Sequence, residues 1–367
     1  MKKGMIKSGI GALLCALLLF PSLFPPVSAT EPPSLSAVSA VLYQPDTDSF
    51  PIEKAADTPL PMASTTKIMT ALTLLTLTSP EETVTVPREA VGVEGSSAYL
   101  TEGERLTVMD LLYALLLQSA NDAAVALAIH ACGSVEAFVA EMNKLSKEMG
   151  LQSTHFQNPH GLPADGHYTT ARELALITEA ALEDPIFEEI VSTKVYRTTG
   201  SERTLTFANH NKLLRLSEDA IGVKTGFTKT SGRCLVGAAE RGGVRFISVT
   251  LNAPSDWQDH MTMWEYGFAR FERREIVSAE QYSKNILVFG GFKPYVTVQN
   301  TEGLSVVLPK EAELRLVAEI LPYPTLPIEK GKQLGTLIVY ADGKQIGALP
   351  LCATETLQPI TKRKLFH

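Results

Sequence analysis

The segment after Ser64, KIMTALTLLTL, sets Ile68, Met69, Ala71, Leu72, Leu74 and Leu75 so densely that a helix over it keeps almost no polar face. Such a helix is stable only where other elements cover most of its sides, so it must lie inside a layered domain. A second apolar stretch, VMDLLYALLLQSANDAAVALAIHACG, runs from Val108 to Gly133 and is interrupted by Ser119, Ala120 and Asn121. The interruption predicts two helices joined by a tight turn. Val135 to Met149 reads as an amphipathic helix ending near Gly150. Thr170 to Leu182 reads as another, with Thr169 or Thr170 as cap and Glu173 in its first turn.

Strand patterns flank this helical block. Ser39 to about Asp57 reads as a strand, a turn and a short strand, and Thr83 to Pro87 alternates. After Asp184-Pro185 the pattern changes to strands: Glu202 to Asn209, then Gly232 to Ala239 and Val244 to Leu251. The last two meet at Arg241-Gly242-Gly243, a hairpin signal. Trp257 to Glu272 is predicted helical. Strands at both ends with helices between them predict one sheet covered by helices. From Lys284 to Cys352 short apolar strands alternate with turns, and Asp342-Gly343 predicts a hairpin. We read residues 30–275 as an α/β (α+β) domain with a helical part and 280–355 as a small all-β C-terminal domain. Residues 356–367 read as a short tail bearing Lys362-Arg363-Lys364.

The N-terminus carries Lys2, Lys3 and Lys7, then the apolar run Ala12 to Phe20, then Val27-Ser28-Ala29. This predicts a secretory signal peptide over residues 1–29, cleaved after Ala29, and an extracytoplasmic protein. A net charge of −7 makes nucleic acid a poor partner. Beyond Cys15, three widely spaced cysteines (Cys132, Cys234, Cys352) form no disulfide framework and read as buried free thiols. His155, His160 and His167 lie in a Gly/Pro-broken stretch and read as loop-structuring residues; no metal site and no cofactor are expected.

Three short elements carry chemistry. Ser64 and Lys67, in Ser64-Thr65-Thr66-Lys67, share one face at the start of a helix. A serine hydroxyl needs an adjacent base to become a nucleophile, and a lysine supplies one only when burial or nearby positive charge lowers its pKa. The apolar run beside Lys67 provides that setting. Ser119-Ala120-Asn121 places polar groups inside an apolar region; it reads equally as a simple helix–helix turn or as a proton relay and substrate-amide contact. Lys224-Thr225-Gly226 lies on a strand-like segment, where lysine and threonine facing a cleft can bind a carboxylate and glycine permits close approach. Each is weak alone. Together, in this order and on helix, turn and strand, they match the S-x-x-K, S-D-N and K-T-G set of penicillin-binding proteins and serine β-lactamases, with S-A-N as the middle element.

The chain resembles the low-molecular-mass penicillin-binding proteins that act as D-alanyl-D-alanine carboxypeptidases (peptidase family S11). The resemblance spans roughly residues 32 to 355 and extends to PMASTTKIMTAL, NPHGLPADGHYTTARELA, SGRCLVGAAERGG and the β-domain segment ending KGKQLGTLIVYADGKQIGALPL. It implies a β-lactamase/transpeptidase-like fold and removal of the terminal D-alanine from peptidoglycan stem pentapeptides through an acyl-enzyme. It assigns Ser64 as nucleophile, Lys67 as base, Ser119 as proton relay to the leaving amine and Asn121 as a contact to substrate amide and Lys67. Lys224 and Thr225 would bind the terminal carboxylate, and the N–H groups of Ser64 and of Phe227, the residue after Gly226, would form the oxyanion hole. β-Lactam antibiotics would acylate Ser64. Some members carry an arginine before the domain's last helix; here SDWQDHMTMWEYGF has none before Arg270. Members usually end in a longer amphipathic anchor. The short tail here, interrupted by Pro359, predicts a soluble or loosely peripheral protein. The alternatives are a peptidoglycan DD-endopeptidase using the same residues, a class A β-lactamase, and a non-catalytic wall-binding protein. The lactamase would need an E-x-x-L-N loop absent between Asn121 and Lys224.

Overall fold

The structure, a computed structural model, describes residues 31–198 and 203–360. The predicted signal peptide and the basic cluster Lys362-Arg363-Lys364 lie outside the described residues. The chain opens with β1 (Ser39–Gln44) and β2 (Ser49–Lys54). A 3-10 turn at Ala63–Thr66 feeds α1 (Lys67–Leu77). β3 (Thr83–Thr85) pairs with β4 (Arg105–Thr107) just before α2 (Val108–Leu117). α3 (Asn121–Cys132), α4 (Val135–Glu148), α5 (Ala171–Leu182) and α6 (Pro185–Ser192) follow. Then come the ribbon of β5 (Val195–Arg197) and β6 (Thr206–Ala208), one helical turn, α7 (Leu213–Leu216), and three long strands, β7 (Ala220–Thr228), β8 (Gly232–Arg241) and β9 (Val244–Leu251). α8 (Asp256–Arg270) closes this part.

The main sheet has the order β2-β1-β9-β8-β7, so the two ends of the domain's sequence meet where β1 pairs with β9. Both faces are covered, and the period of two along each strand divides the residues between them. On β8, Cys234, Val236 and Ala238 join the core under α1–α6, while Leu235 and Ala239 join the one under α8. The two-residue turn Gly242-Gly243 has φ values of 59° and 73°, the left-handed geometry that a tight hairpin needs. α1 buries Ile68, Met69 and Leu74, worth about 1.5–3 kcal/mol each relative to exposure.

The helix α6 is missing from the sequence reading, which took Asp184-Pro185 as the end of helical character. The pair is instead a start signal. Asp184 Oδ1 accepts the Ile186 N–H at 2.8 Å, and Pro185 sits at the first helical position, where its lack of an N–H costs nothing. α5 is capped by Thr170, whose Oγ1 accepts the Glu173 N–H at 3.1 Å. Of the expected strand Glu202–Asn209, Thr206–Ala208 forms; its first residue lies outside the described residues.

The remaining strands are β10 (Phe271–Val277), β11 (Ser283–Leu287), β12 (Tyr295–Asn300), β13 (Leu304–Pro309), β14 (Leu314–Ile320), β15 (Gln333–Ala341) and β16 (Lys344–Ala353). One antiparallel sheet has the order β11-β12-β16-β15-β14, with the Asp342-Gly343 turn joining β15 to β16; β10 and β13 form a separate ribbon. Two boundaries differ from expectation. The last helix stops at Arg270, and Phe271–Val277 is already a strand paired with β13. Thr356–Ile360, read as the start of the tail, is docked instead: Leu357 is buried and bridges Ile328, and the Ile360 N–H donates to Gly290 O. Cys234 is buried, whereas Cys132 and Cys352 are half-buried; all three are free thiols. Among the described residues no single helix is long and apolar enough to cross a membrane.

Candidate active site

Ser64 sits in the 3-10 turn that opens α1. The preceding Ala63 has a left-handed φ of 48°, a sparsely populated conformation for a residue with a Cβ. The turn is held from below. Thr66 Oγ1 donates to Ala63 O at 2.7 Å. His167 Nδ1 accepts the Gln157 N–H, which leaves its Nε2–H to donate to Thr66 Oγ1 at 2.8 Å. Gly161 packs against the same turn: a Cβ there would lie 2.0 Å from Ala63 O. Gly226 approaches from the other side, its missing Cβ 3.1 Å from both Met62 O and Ser64 N.

One turn on, Lys67 is fully buried, and its Nζ meets three oxygens: Ser64 Oγ at 3.0 Å, Asn121 Oδ1 at 2.7 Å and His160 O at 2.6 Å. Burial first, and then the charge of Lys224, hold Lys67 well below the ordinary lysine range; Asp122 pulls the other way. Burial alone brings Lys224 down to about 7. The same burial, with Lys67 and His167 nearby, lowers His160 to about 4, so its ring is neutral at neutral pH.

The break between α2 and α3 presents the second element. Ser119 has a φ of 62° and Ala120 is extended. Asn121 is the first residue of α3. Its Oδ1 accepts from Lys67 and its Nδ2 donates to Glu94 O at 2.6 Å, which fixes the amide's orientation. Asp122 gathers the loop opposite: its carboxylate accepts from Ser97 Oγ and from the Ala98 and Leu100 N–H groups. The third element lies on β7, the edge strand of the sheet. Lys224 is only 1% exposed and donates to Thr225 O at 3.0 Å.

A cleft of about 300 Å³ runs over these groups. Ser64, Ser96, Ser119, Thr225, Gly226 and Phe227 line it. His210, whose N–H donates to Leu117 O, lines it too, as do Cys234 and the contacting group Arg233, Asp256 and Trp257. Of the eight site residues expected from sequence, Ser64, Lys67 and Asn121 are joined by direct hydrogen bonds. Ser119, Thr225, Gly226 and Phe227 share the cleft with Ser64, and Lys224 is buried on the face of β7 that Gly226 presents to the Ser64 turn. His160 O, His167, Asp122, Arg233 and Asp256 were not anticipated. The three histidines do bond to their loop's own backbone, at Gly166 O, the Leu162 N–H and the Gln157 N–H. That a main-chain oxygen of this loop also holds Lys67 has no sequence signal. Glu173 is engaged away from the cleft, its carboxylate accepting from the Gln152 and Ser153 N–H groups and from Thr154 Oγ1.

Comparison with known proteins agrees over almost the whole chain. The D-alanyl-D-alanine carboxypeptidase family model matches residues 26–255, and the penicillin-binding protein 5 C-terminal domain model matches residues 271–359. D-alanyl-D-alanine carboxypeptidase DacF of Bacillus subtilis is 30% identical, over 88% of this chain and 86% of that protein. DacC of Escherichia coli is 33% identical, over 95% of this chain and 92% of that protein. Penicillin-binding protein 5 from Haemophilus influenzae superposes with a TM-score of 0.66 at 28% identity, over 89% of this chain and 99% of that one.

Proposed function

This chain belongs to the D-alanyl-D-alanine carboxypeptidase family of serine peptidases, and on that premise we propose that Ser64 is its nucleophile and Lys67 the base that activates it. The hydrogen-bond set around Lys67 Nζ carries the reading. A neutral amine has two N–H groups and one lone pair. Asn121 Oδ1 and His160 O can only accept, so they take the two hydrogens. The lone pair is left for the Ser64 hydroxyl, 3.0 Å away. The lowered pKa of Lys67 supports the neutral form at working pH.

The reaction follows from this. Ser64 Oγ bonds to the carbonyl carbon of the penultimate D-alanine of a peptidoglycan stem peptide while its proton passes to Lys67 Nζ. The developing oxyanion is met by the N–H groups of Ser64 and Phe227. The C–N bond breaks as the leaving amine of the terminal D-alanine takes a proton, relayed through Ser119. Water then attacks the ester, with Lys67 again accepting the proton, and frees the shortened peptide. Thr225, on the edge strand beside Ser64, binds near the substrate's terminus. Lys224 acts through its charge on Lys67. No metal or cofactor enters these steps. β-Lactams acylate Ser64 by the same attack and stall there. The enzyme works on the wall side of the membrane, where this substrate lies. A β-lactamase-type deacylation through Glu173 is disfavoured because that carboxylate is engaged by Gln152, Ser153 and Thr154.

Intact-mass analysis with penicillin and then with a diacyl-L-Lys-D-Ala-D-Ala peptide tests the reading. The expected result is one stoichiometric penicillin adduct on Ser64, lost in Ser64→Ala, and release of free D-alanine from the peptide. An adduct on Ser119, or none, overturns it.

A further inference from the structure

We propose that the end of the C-terminal β domain formed by the loops carrying Phe289 and Tyr323 is a docking face for an anionic lipid surface. The proposal is independent of the chemistry at Ser64, because no residue of this face lines the cleft.

Two loops and the last described segment converge there. Leu287 pairs with Tyr295, and the loop between β11 and β12 carries Phe289 and Phe292. Leu321 and Tyr323 lie on the loop from β14 to β15, which is tied to the sheet where the Leu321 N–H donates to Leu334 O. Gly291 bridges Pro359 and Ile328 bridges Leu357, so the chain up to Ile360 is laid between the two loops. The rings of Phe289 and Tyr323 lie 5.6 Å apart. Phe289 is 74% exposed, Tyr323 67%, Phe292 59%, Leu321 54% and Ile360 46%. Apolar side chains this large, gathered at one end and left open, mark an interaction surface rather than ordinary scattered exposure. At the opposite end of the sheet, Ala341 and Asp342 border a cavity with Asp46 and Asp48 of the turn after β1. The nine residues of β15 separate the two ends by roughly 27 Å.

Charge complementarity selects the occupant. The chain has a net charge of −7, yet its longest basic run, Lys362-Arg363-Lys364, follows directly after Ile360 and Thr361 and precedes Leu365-Phe366. Chain length alone keeps these cations within roughly 15 Å of Ile360. Glu355, an acid at this end, is held by Lys293 Nζ at 2.5 Å. A second copy docked through the same face would set two basic runs against each other, and like charges oppose that pairing. An anionic lipid surface attracts the run instead. Phe289, Phe292, Leu321 and Ile360 can then bury apolar surface at the boundary between headgroups and acyl chains. Tyr323 suits the same boundary, with an apolar ring and a polar tip. The attraction is screened by salt, whereas the apolar contact is not.

The test is binding of the mature chain to vesicles of phosphatidylcholine alone and of phosphatidylcholine with phosphatidylglycerol at about a 7:3 ratio. It compares the parent with Phe289→Ser/Tyr323→Ser and with Lys362→Gln/Arg363→Gln/Lys364→Gln. Phe289 and Tyr323 are exposed, so the thermal midpoint and penicillin acylation of the double variant should stay parental. The parent should bind the anionic vesicles more tightly, and high salt should reduce that preference. The double variant should lose roughly 10- to 100-fold in partition coefficient on the anionic vesicles. The charge variant should bind both kinds of vesicle alike. A double variant that partitions as the parent does overturns the proposal, as does a parent that binds neither vesicle. A vesicle-free parent that sediments as a dimer, with the dimer lost in the double variant, assigns the face to a second copy and overturns it as well.

Discussion

Lys67 and Lys224 are buried in one low-dielectric region, so a proton on either is felt by the other. The direction of that coupling is a residue-scale prediction. A positive charge on Lys224 lowers the pKa of Lys67, so removing it with Lys224→Gln raises that pKa. A larger share of Lys67 is then protonated at a given pH, and the acid limb of penicillin acylation shifts to higher pH. The deficit should be largest in acid and fade above about 7, where Lys224 itself sheds its proton. Stopped-flow acylation across pH measures it, with each profile normalised to its own plateau. A limb that stays in place, or moves toward acid, would show that Lys67 does not sense Lys224.

At the scale of elements, the site depends on how loops and helix ends press against the Ser64 turn. Gly161, at a φ of 89°, leaves no room for a side chain beside Ala63 O. Gly161→Ala must displace the turn, at a cost on the order of 3 kcal/mol. Penicillin acylation should fall by about 100-fold or more, since misplacement by an ångström suffices for that. Parental acylation in this variant would mean that the turn tolerates displacement. The end of α8 offers a contrasting case far from the cleft. Lys310 Nζ donates to Phe268 O and Ala269 O, each at 3.0 Å, satisfying two terminal carbonyls. Lys310→Ala should cost about 0.5–1 kcal/mol and lower the thermal midpoint by about 1–3 °C, with acylation unchanged. A calorimetric scan showing no shift would mean that water caps these carbonyls equally well.

For the whole molecule, the question is what the C-terminal β domain contributes. Every residue lining the cleft precedes Phe271. Yet Phe271 packs edge-on against Phe246 at 5.6 Å, and Val307 joins the same core beneath α8. A mature chain stopped after Arg270 should therefore still acylate with penicillin but melt several degrees lower, because it exposes apolar surface and uncaps α8. Loss of acylation with helix content retained by circular dichroism would show instead that the site needs the β domain. What the sequence determined by itself was local. The apolar density around Ile68 to Leu75 required a buried helix, Gly242-Gly243 and Asp342-Gly343 required tight hairpins, and the serine–lysine spacing put both groups on one helix face. Each follows from interactions within a few residues. It also carried three chemical motifs whose order implied one site. Only the tertiary structure decided what joins them. The carbonyl of His160 takes a hydrogen from Lys67, and a main-chain oxygen leaves no residue-type signature. Lys224 faces inward and Arg233 faces the cleft, because strand register, set by pairing across β7 and β8, decides which side chain meets which face. That register is a long-range property, fixed by the packing of two cores on opposite sides of one sheet rather than by the residues of either strand alone.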